Sequence, residues 1–455
     1  MSNIFSNNST ELYHKLYGSI SSKEIKESKV ITEPEIIYFE NRINKESNNE
    51  NDENGQNNNY YFLADMPGLK DEISSKYEII KNLMDLGDEK DNINANFISE
   101  LSNDYIIIST YDKHLIFFNK QYKKILKIIF PFQINSFNEV KSKENDNIIK
   151  LLCFSIFCVY EISLYLSSKD VKIDICTFSK KIIEGKKEEN KSDKNNETKS
   201  FNYHFMSKLN NNKELLCTNN GVYEGENILN KKENSQEPIL LGHYTESIVL
   251  SNRLICFKSN KQLTKGEDSL TIFDINTQKI INKINGYSFS ICPYRSILLI
   301  HNEKKKTLIC GCSKYSSDQK NGILLVNFDL DEDENMKNIK TNIKFEETDY
   351  FSLDCICFLK NNKEESDNKE GYLLAGGVDE EYNKGVIKLY KINCGENEID
   401  IEYLQDLELD ENIEGNISYI YQLKNGKIII SCTKGNFLFT EPNLEGYTED
   451  SDNDL

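Results

Sequence analysis

Hydrophobic residues fall in short runs separated by polar turns along most of this chain. Phe97 to Phe118 (FISELSNDYIIISTYDKHLIFF) reads as a strand, a Ser-Asn-Asp turn, an apolar strand from Tyr105 to Ile108, a Tyr-Asp-Lys-His turn and a strand from Leu115 to Phe118. Ile417 to Phe439 (ISYIYQLKNGKIIISCTKGNFLF) has the same order: strand, Asn425-Gly426 turn, apolar strand, Lys434-Gly435 turn, strand. Asn-Gly between apolar runs predicts a type I′ hairpin, because that turn needs positive φ at both central residues. The two segments begin about 320 residues apart, so their shared order predicts an internal repeat.

Looser copies lie between them. Phe205 to Tyr223, Ser247 to Ile275, Ile297 to Phe328 and Cys355 to Tyr390 each hold two or three apolar runs split by turns. Third-strand positions fall near 116, 159, 222, 272, 325, 388 and 437, at intervals of about 43 to 63 residues, against roughly 40 to 50 for a propeller blade. The two longest intervals contain charged inserts near 184–200 and 361–370. Runs such as Tyr105 to Ile108 and Ile428 to Ile430 are apolar on both strand faces, which one small sheet cannot bury. Sheets stacked around an axis bury both. The pattern therefore predicts an all-β chain: a seven-bladed β-propeller over 29–443, with four-stranded antiparallel blades and disordered acidic insertions (45–59, 184–200, 361–370). A polar segment, 1–28, precedes it and an acidic disordered tail, 444–455, follows. Val30 to Phe39 is expected to close the ring by joining the last blade, with Pro34 marking an edge position. Two separate β-domains split near Glu184 to Ser200 are the competing architecture.

Leu270 to Ile280 (LTIFDINTQKI) is the most characteristic stretch: an alternating strand, Asp274, an Asn276-Thr277-Gln278 turn and a second strand from Lys279 to Ile284. It resembles the third and fourth strands of a WD-repeat blade, with Phe273-Asp274 where that family has Trp-Asp; the chain contains no Trp. Gly242-His243 resembles the Gly-His that opens such a repeat, whose His hydrogen-bonds the Asp of its own blade; Asp274 stands about 31 residues later, where that partner falls. The resemblance covers roughly 75 to 443 and implies a divergent WD-repeat-like propeller acting as a non-catalytic scaffold or adaptor for other proteins or peptides. The loops Gly242 to Glu246 and Asp410 to Gly415 lead into predicted first strands on the usual binding face. Tyr244, Tyr287 and Tyr350 are the candidate protein-binding residues, since Tyr suits interfaces; packing in the core is the competing reading of each.

Charge narrows the partners. The net charge is −19, and Arg42, Arg253 and Arg295 are the only arginines, which disfavours nucleic acid and anionic membranes. The acidity keeps a large chain soluble or attracts basic partners. Leu151 to Tyr160 (LLCFSIFCVY) is too short for a membrane span once Lys150 and Glu161 interrupt it, and reads as two buried strands. Met1 to Ile20 has no apolar core of a secretion signal, which favours the cytoplasm, with the nucleus as the alternative, and reduced thiols.

No cofactor or metal is expected. Cys310-x-Cys312 and Cys355-x-Cys357 each share a strand face, but such thiols suit packed strands better than zinc. The acidic run from Asp329 has Glu334 where a calcium loop needs Gly and Lys340 where it needs Glu. Ala375-Gly376-Gly377 reads as the end of an inner strand. Two other readings stay open: a propeller enzyme with channel-lining carboxylates of the glycoside-hydrolysing type, and a phosphoinositide-binding propeller, which uses paired arginines.

Overall fold

The computed structural model describes residues 35–38, 78–84, 94–120, 122, 124–140, 148–155, 159–166, 171–178, 203–209, 214–218, 221–225, 237–259, 269–287, 297–302, 305–312, 321–329, 341–348, 351–359, 370–379, 381–382, 384–394, 399–407, 416–433 and 435–440. All the regular elements among them are β-strands. β1 (Glu35–Tyr38) and β2 (Glu78–Met84) come first. β3 (Ala95–Glu100), β4 (Ile106–Thr110), β5 (His114–Phe118) and β6 (Lys124–Ile129) then run up and down as one antiparallel sheet. A second sheet holds β7 (Ile134–Val140), β8 (Ile148–Ser155), β9 (Val159–Leu166) and β10 (Val171–Phe178). The third has β11 (Tyr203–Lys208), β12 (Glu214–Thr218) and β13 (Gly221–Gly225). The fourth has β14 (Glu246–Val249), β15 (Leu254–Ser259), β16 (Ser269–Asp274) and β17 (Lys279–Asn285). The fifth has β18 (Ile297–Asn302), β19 (Lys305–Cys312), β20 (Gly322–Asp329) and β21 (Thr341–Glu347). The sixth has β22 (Phe351–Leu359), β23 (Glu370–Asp379), β24 (Lys384–Cys394) and β25 (Ile399–Leu407). The last has β26 (Ile417–Gln422), β27 (Ile428–Cys432) and β28 (Gly435–Thr440).

The first strands β3, β7, β11, β14, β18, β22 and β26 neighbour one another in that order, and β26 returns to β3. The circle is closed, the first strands surround a central channel, and the fold is a β-propeller. Its energetics follow from the second and third strands. β4, β5, β15, β16 and β27 are buried at every position, because each is flanked by sheets on both faces. Each Ile, Leu or Phe removed from water there contributes about 1.5–3 kcal/mol. Leu151 to Tyr160 supplies β8 and the start of β9, buried strands as expected.

Several expectations need correcting. Strand number is not four throughout: the first sheet has five strands and the third has three. In the third sheet, among the described residues, the place beside β13 is taken by a bridge at Leu240, with Val222 N–H donating to Leu240 O at 2.8 Å and Ile239 N–H to Val222 O at 2.8 Å. Pro238, next in line, has no N–H to extend that ladder. Nor does Val30 to Phe39 join the last sheet. Its described part, β1, pairs with β6 on the outer edge of the first sheet (Ile37 opposite Lys127). The last sheet is closed by β2 instead, which pairs with β28 from Glu78–Thr440 to Met84–Asn436.

The Asn425-Gly426 turn is not type I′. Gly426 has φ 86° while Asn425 does not have positive φ. Gly426 N–H donates to Leu423 O at 3.0 Å and Leu423 N–H to Lys427 O at 2.7 Å. This is a three-residue loop: a type I turn followed by one left-handed residue. Leu101 to Tyr105 repeats it bond for bond, with Asp104 (φ 63°) in the place of Gly426. Finally, Ala375-Gly376-Gly377 lies inside β23 rather than at its end. A Cβ on Gly376 would come within 2.6 Å of Ile417 Cγ2 and 2.9 Å of Ile420 Cδ1. The glycine lets β26 of the next sheet approach. The inserts at 45–59 and 184–200, residues 361–369, the acidic run 331–340 and the tail from 444 lie outside the described residues.

Candidate functional site

The channel wall carries a repeated polar feature. In β3, β7, β11, β22 and β26 the register slips by one residue near the start of the strand, skipping Asn96, Asn135, His204, Asp354 and Ser418. Each skipped residue is polar. The second strand opposite carries small residues at that level: Ser109-Thr110, Ser155, Thr218, Gly376-Gly377 and Ser431-Cys432. A register slip re-aims a strand and draws the backbone close, and small partners leave the room. The bonds made here tie sheets together. Asn96 Nδ2 donates to Ile134 O on the next first strand at 2.7 Å. Ser431 Oγ accepts from Ala95 N–H at 2.8 Å and from Ser418 Oγ at 3.1 Å. The last, first and second sheets are thus joined at one level of the channel.

The fourth and fifth sheets depart from this rule, β14 and β18 pairing in register. In the fourth, Glu246 faces Lys258, where the slipped sheets have Thr, Ser, Cys or Gly. Lys258 is 0% exposed, and its ammonium lies 3.0 Å from Glu246 Oε2. Cys256 and Cys310 adjoin this pair, and burial pushes both thiols up. At the other end of the sheet, Asp274 is also 0% exposed. Its carboxylate accepts from Arg253 Nε at 2.7 Å, Asn276 N–H at 2.9 Å and Thr277 N–H at 3.2 Å. Burial alone would raise the Asp274 carboxyl, but the Arg253 and Thr277 hydrogen bonds outweigh it and hold it at about 2. His243, the partner expected from its resemblance to a WD-repeat Gly-His, is exposed; Arg253, the residue immediately before β15, fills that role.

On the sixth sheet, the skipped residue Asp354 is half-buried, and burial pushes its carboxyl up to about 7. It is therefore partly protonated near neutrality, unlike an ordinary aspartate.

The loop into β14 has a defined shape. Tyr244 is buried, with its ring 5.1 Å from Phe257 and its hydroxyl donating to Leu241 O at 3.2 Å. Thr245 N–H donates to Lys258 O at 2.8 Å. These contacts hold Leu241 outward, 75% exposed, beside exposed His243. Tyr287 is half-buried and packs against Phe345 at 5.4 Å. Tyr350 lies outside the described residues. Of the three candidate tyrosines, Tyr244 thus supports the loop from beneath, while Tyr287 keeps part of its ring at the surface. Leu241 and the skipped polar residues were not singled out from the sequence. The slips are visible there afterwards: ANFI, LDCI and ISYI each put one polar residue, and INSF two, before a renewed run, which breaks strict alternation.

The paired cysteines do not converge: Cys310 and Cys312 lie in one core cluster, Cys355 and Cys357 in another. Among the described residues no group of His, Cys, Asp and Glu could hold a metal ion, and no helix is long and apolar enough to cross a membrane.

No family profile and no curated protein matches this chain. Solved structures do resemble it. The Dos1 propeller matches with TM-score 0.43 and 9% identity over 77% of this chain and 78% of its own. BBS1N, solved in complex with ARL6DN, gives 0.49 and 7% over 80% and 98%. The WD40 domain of SCAP from fission yeast gives 0.42 and 8% over 76% and 81%. By the order and closure of its own sheets, the chain is a β-propeller.

Proposed function

We propose that this chain is a non-catalytic scaffold whose ring, seven-bladed over 29–443, gathers protein or peptide partners on the face formed by the loops leading into the first strands. The carrying observation is the loop at 240–246, which buries Leu240 and Tyr244 and fixes Leu241 outward at 75% exposure. A large aliphatic side chain held rigidly in water loses little conformational freedom on docking, which favours binding. Tyr287 is proposed as part of the same contact surface, with Tyr244 as its support, and Tyr350, which precedes β22 in sequence, is proposed as a further contact. A net charge of −19 favours basic partners. Eight cysteines among the described residues are buried free thiols, in keeping with a reducing compartment, the cytoplasm or nucleus. Quantitative affinity capture tests this. Stoichiometric partners should be recovered with the native chain and lost with Leu241→Glu or Tyr287→Ala at unchanged melting temperature; identical recoveries, or a native chain that emerges alone, would refute the scaffold role.

Asp354 supports a second reading, a hydrolase using a protonated carboxyl at the channel. Turnover of any member of a glycoside panel that disappears in Asp354→Asn would favour it; no turnover disposes of it.

A further inference from the structure

The fourth strands of two sheets are built alike but end differently. In β6 the register slips at Ile125, and Leu126 to Ile129 then pair with both β5 and β1. In β17 the slip falls at Ile281, and Asn282 to Asn285 pair with β16. Superposing the slips puts Lys127 with Lys283 and Ile128 with Ile284. In that alignment Lys124-Ile-Leu-Lys-Ile-Ile lies against Ile280-Ile-Asn-Lys-Ile-Asn, which share an isoleucine at the slip and the Lys-Ile pair after it. β6 is covered by a fifth strand, and Lys127 is 4% exposed. β17 is the edge of its sheet among the described residues, with Ile280 51% and Ile281 39% exposed. A slip and two lysines ordinarily discourage strand addition, yet β6 accepts a strand beyond the same slip.

We propose that the outer edge of β17 is a docking site for an extended segment of a partner protein, added as a fifth antiparallel strand. The covering strand of β6 defines the chemistry that fits. β1 is Glu-Ile-Ile-Tyr, flanked in sequence by Glu33 and Glu40, and its Ile37 stands opposite Lys127 of β6. The occupant of β17 is therefore an aliphatic or aromatic strand flanked by acidic residues. Main-chain hydrogen bonds supply the affinity and alternate side chains the selectivity. Lys279 and Lys283 are an exposed positive stretch on a chain of net charge −19, so acidic flanks meet local attraction where the rest of the surface repels them. This site lies on the rim of the ring and is independent of the loop face.

The test uses the full chain and a synthetic peptide with the sequence of residues 31–40 (ITEPEIIYFE). Binding should protect β17 amides from hydrogen exchange, weaken with salt, and fall roughly tenfold in Lys279→Glu/Lys283→Glu. A peptide with its glutamates replaced by lysine should restore binding to that variant. Both lysines are exposed, and an unchanged melt certifies the fold. No binding, binding unaltered by the charge reversal, or protection confined to β6 with release of β1 would each overturn the proposal. So would concentration-dependent dimerisation that vanishes when residues 1–40 are removed, which would assign the edge to a second copy.

Discussion

The fourth sheet and the seam between the last and first sheets solve the same problem in opposite ways. Both must fix strands around a channel where backbones crowd. At the seam, neutral hydrogen bonds cross from sheet to sheet: Ala95 N–H to Ser431 Oγ at 2.8 Å and Glu100 N–H to Tyr421 Oη at 3.2 Å. Lys424 adds a brace, donating through its N–H to Glu100 Oε2 at 2.6 Å and through Nζ to Leu101 O at 2.7 Å. The fourth sheet instead holds two buried charges in itself, Lys258 with Glu246 and Asp274 with Arg253. Buried charge is costly unless paired, and removing one partner hurts more than never having had either. The fourth sheet should thus be brittle and the seam forgiving, except for the strand that closes it.

That exception gives the largest expected effect. A chain lacking residues 1–85 loses β2 and should melt by roughly 10 °C or more below the native chain, whereas one lacking residues 1–40 keeps β2 and should melt within a few degrees of it. Equal melting curves for the two truncations would abolish the distinction. Next, Lys258→Ala strips buried Glu246 of its ammonium partner and should cost about 3–5 kcal/mol in chemical denaturation; Lys258→Met with Glu246→Gln should recover most of it. A third effect comes from Asp274. Its folded carboxyl sits at about 2 against an unfolded value near ~3.9. The stabilisation is complete above the unfolded value and is lost as pH falls toward 2. Native chain should therefore lose about 2 kcal/mol over that window, and Asp274→Asn should show that loss already at neutral pH. The smallest change belongs to the seam surface. Lys424→Ala removes a half-exposed brace and should cost no more than about 1 kcal/mol, shrinking further in high salt.

The strands were legible because their apolar runs are long and their turns are polar. Each inferred third-strand position lies in the third strand of its sheet, from Ile116 in β5 to Phe437 in β28. What the sequence hid was pairing. β1 is only four residues long, and β1 and β2 both precede β3 in sequence; nothing in Glu-Ile-Ile-Tyr says that it belongs on β6 rather than β28. The turn at Asn425 misled for a related reason: Asn-Gly signals positive φ, but loop length decides how many residues adopt it, and here Gly426 alone does. Of the site, the loop into β14 was foreseen, but which of its side chains faces water was not. Tyr244 and Leu241 are three residues apart, and only the bond from one hydroxyl to the other's carbonyl settles which is inside.

The pairing of β2 with β28 also sets a timetable. Glu78 and Thr440 are partners, so a loop of about 360 residues must close before the last sheet is complete, a slow and entropically expensive step. During synthesis β2 emerges early and waits, its backbone unsatisfied, until almost the whole chain has left the ribosome. For that interval the nascent protein carries a sticky, unclaimed ribbon, and its dependence on holding factors should peak just before the final strand appears.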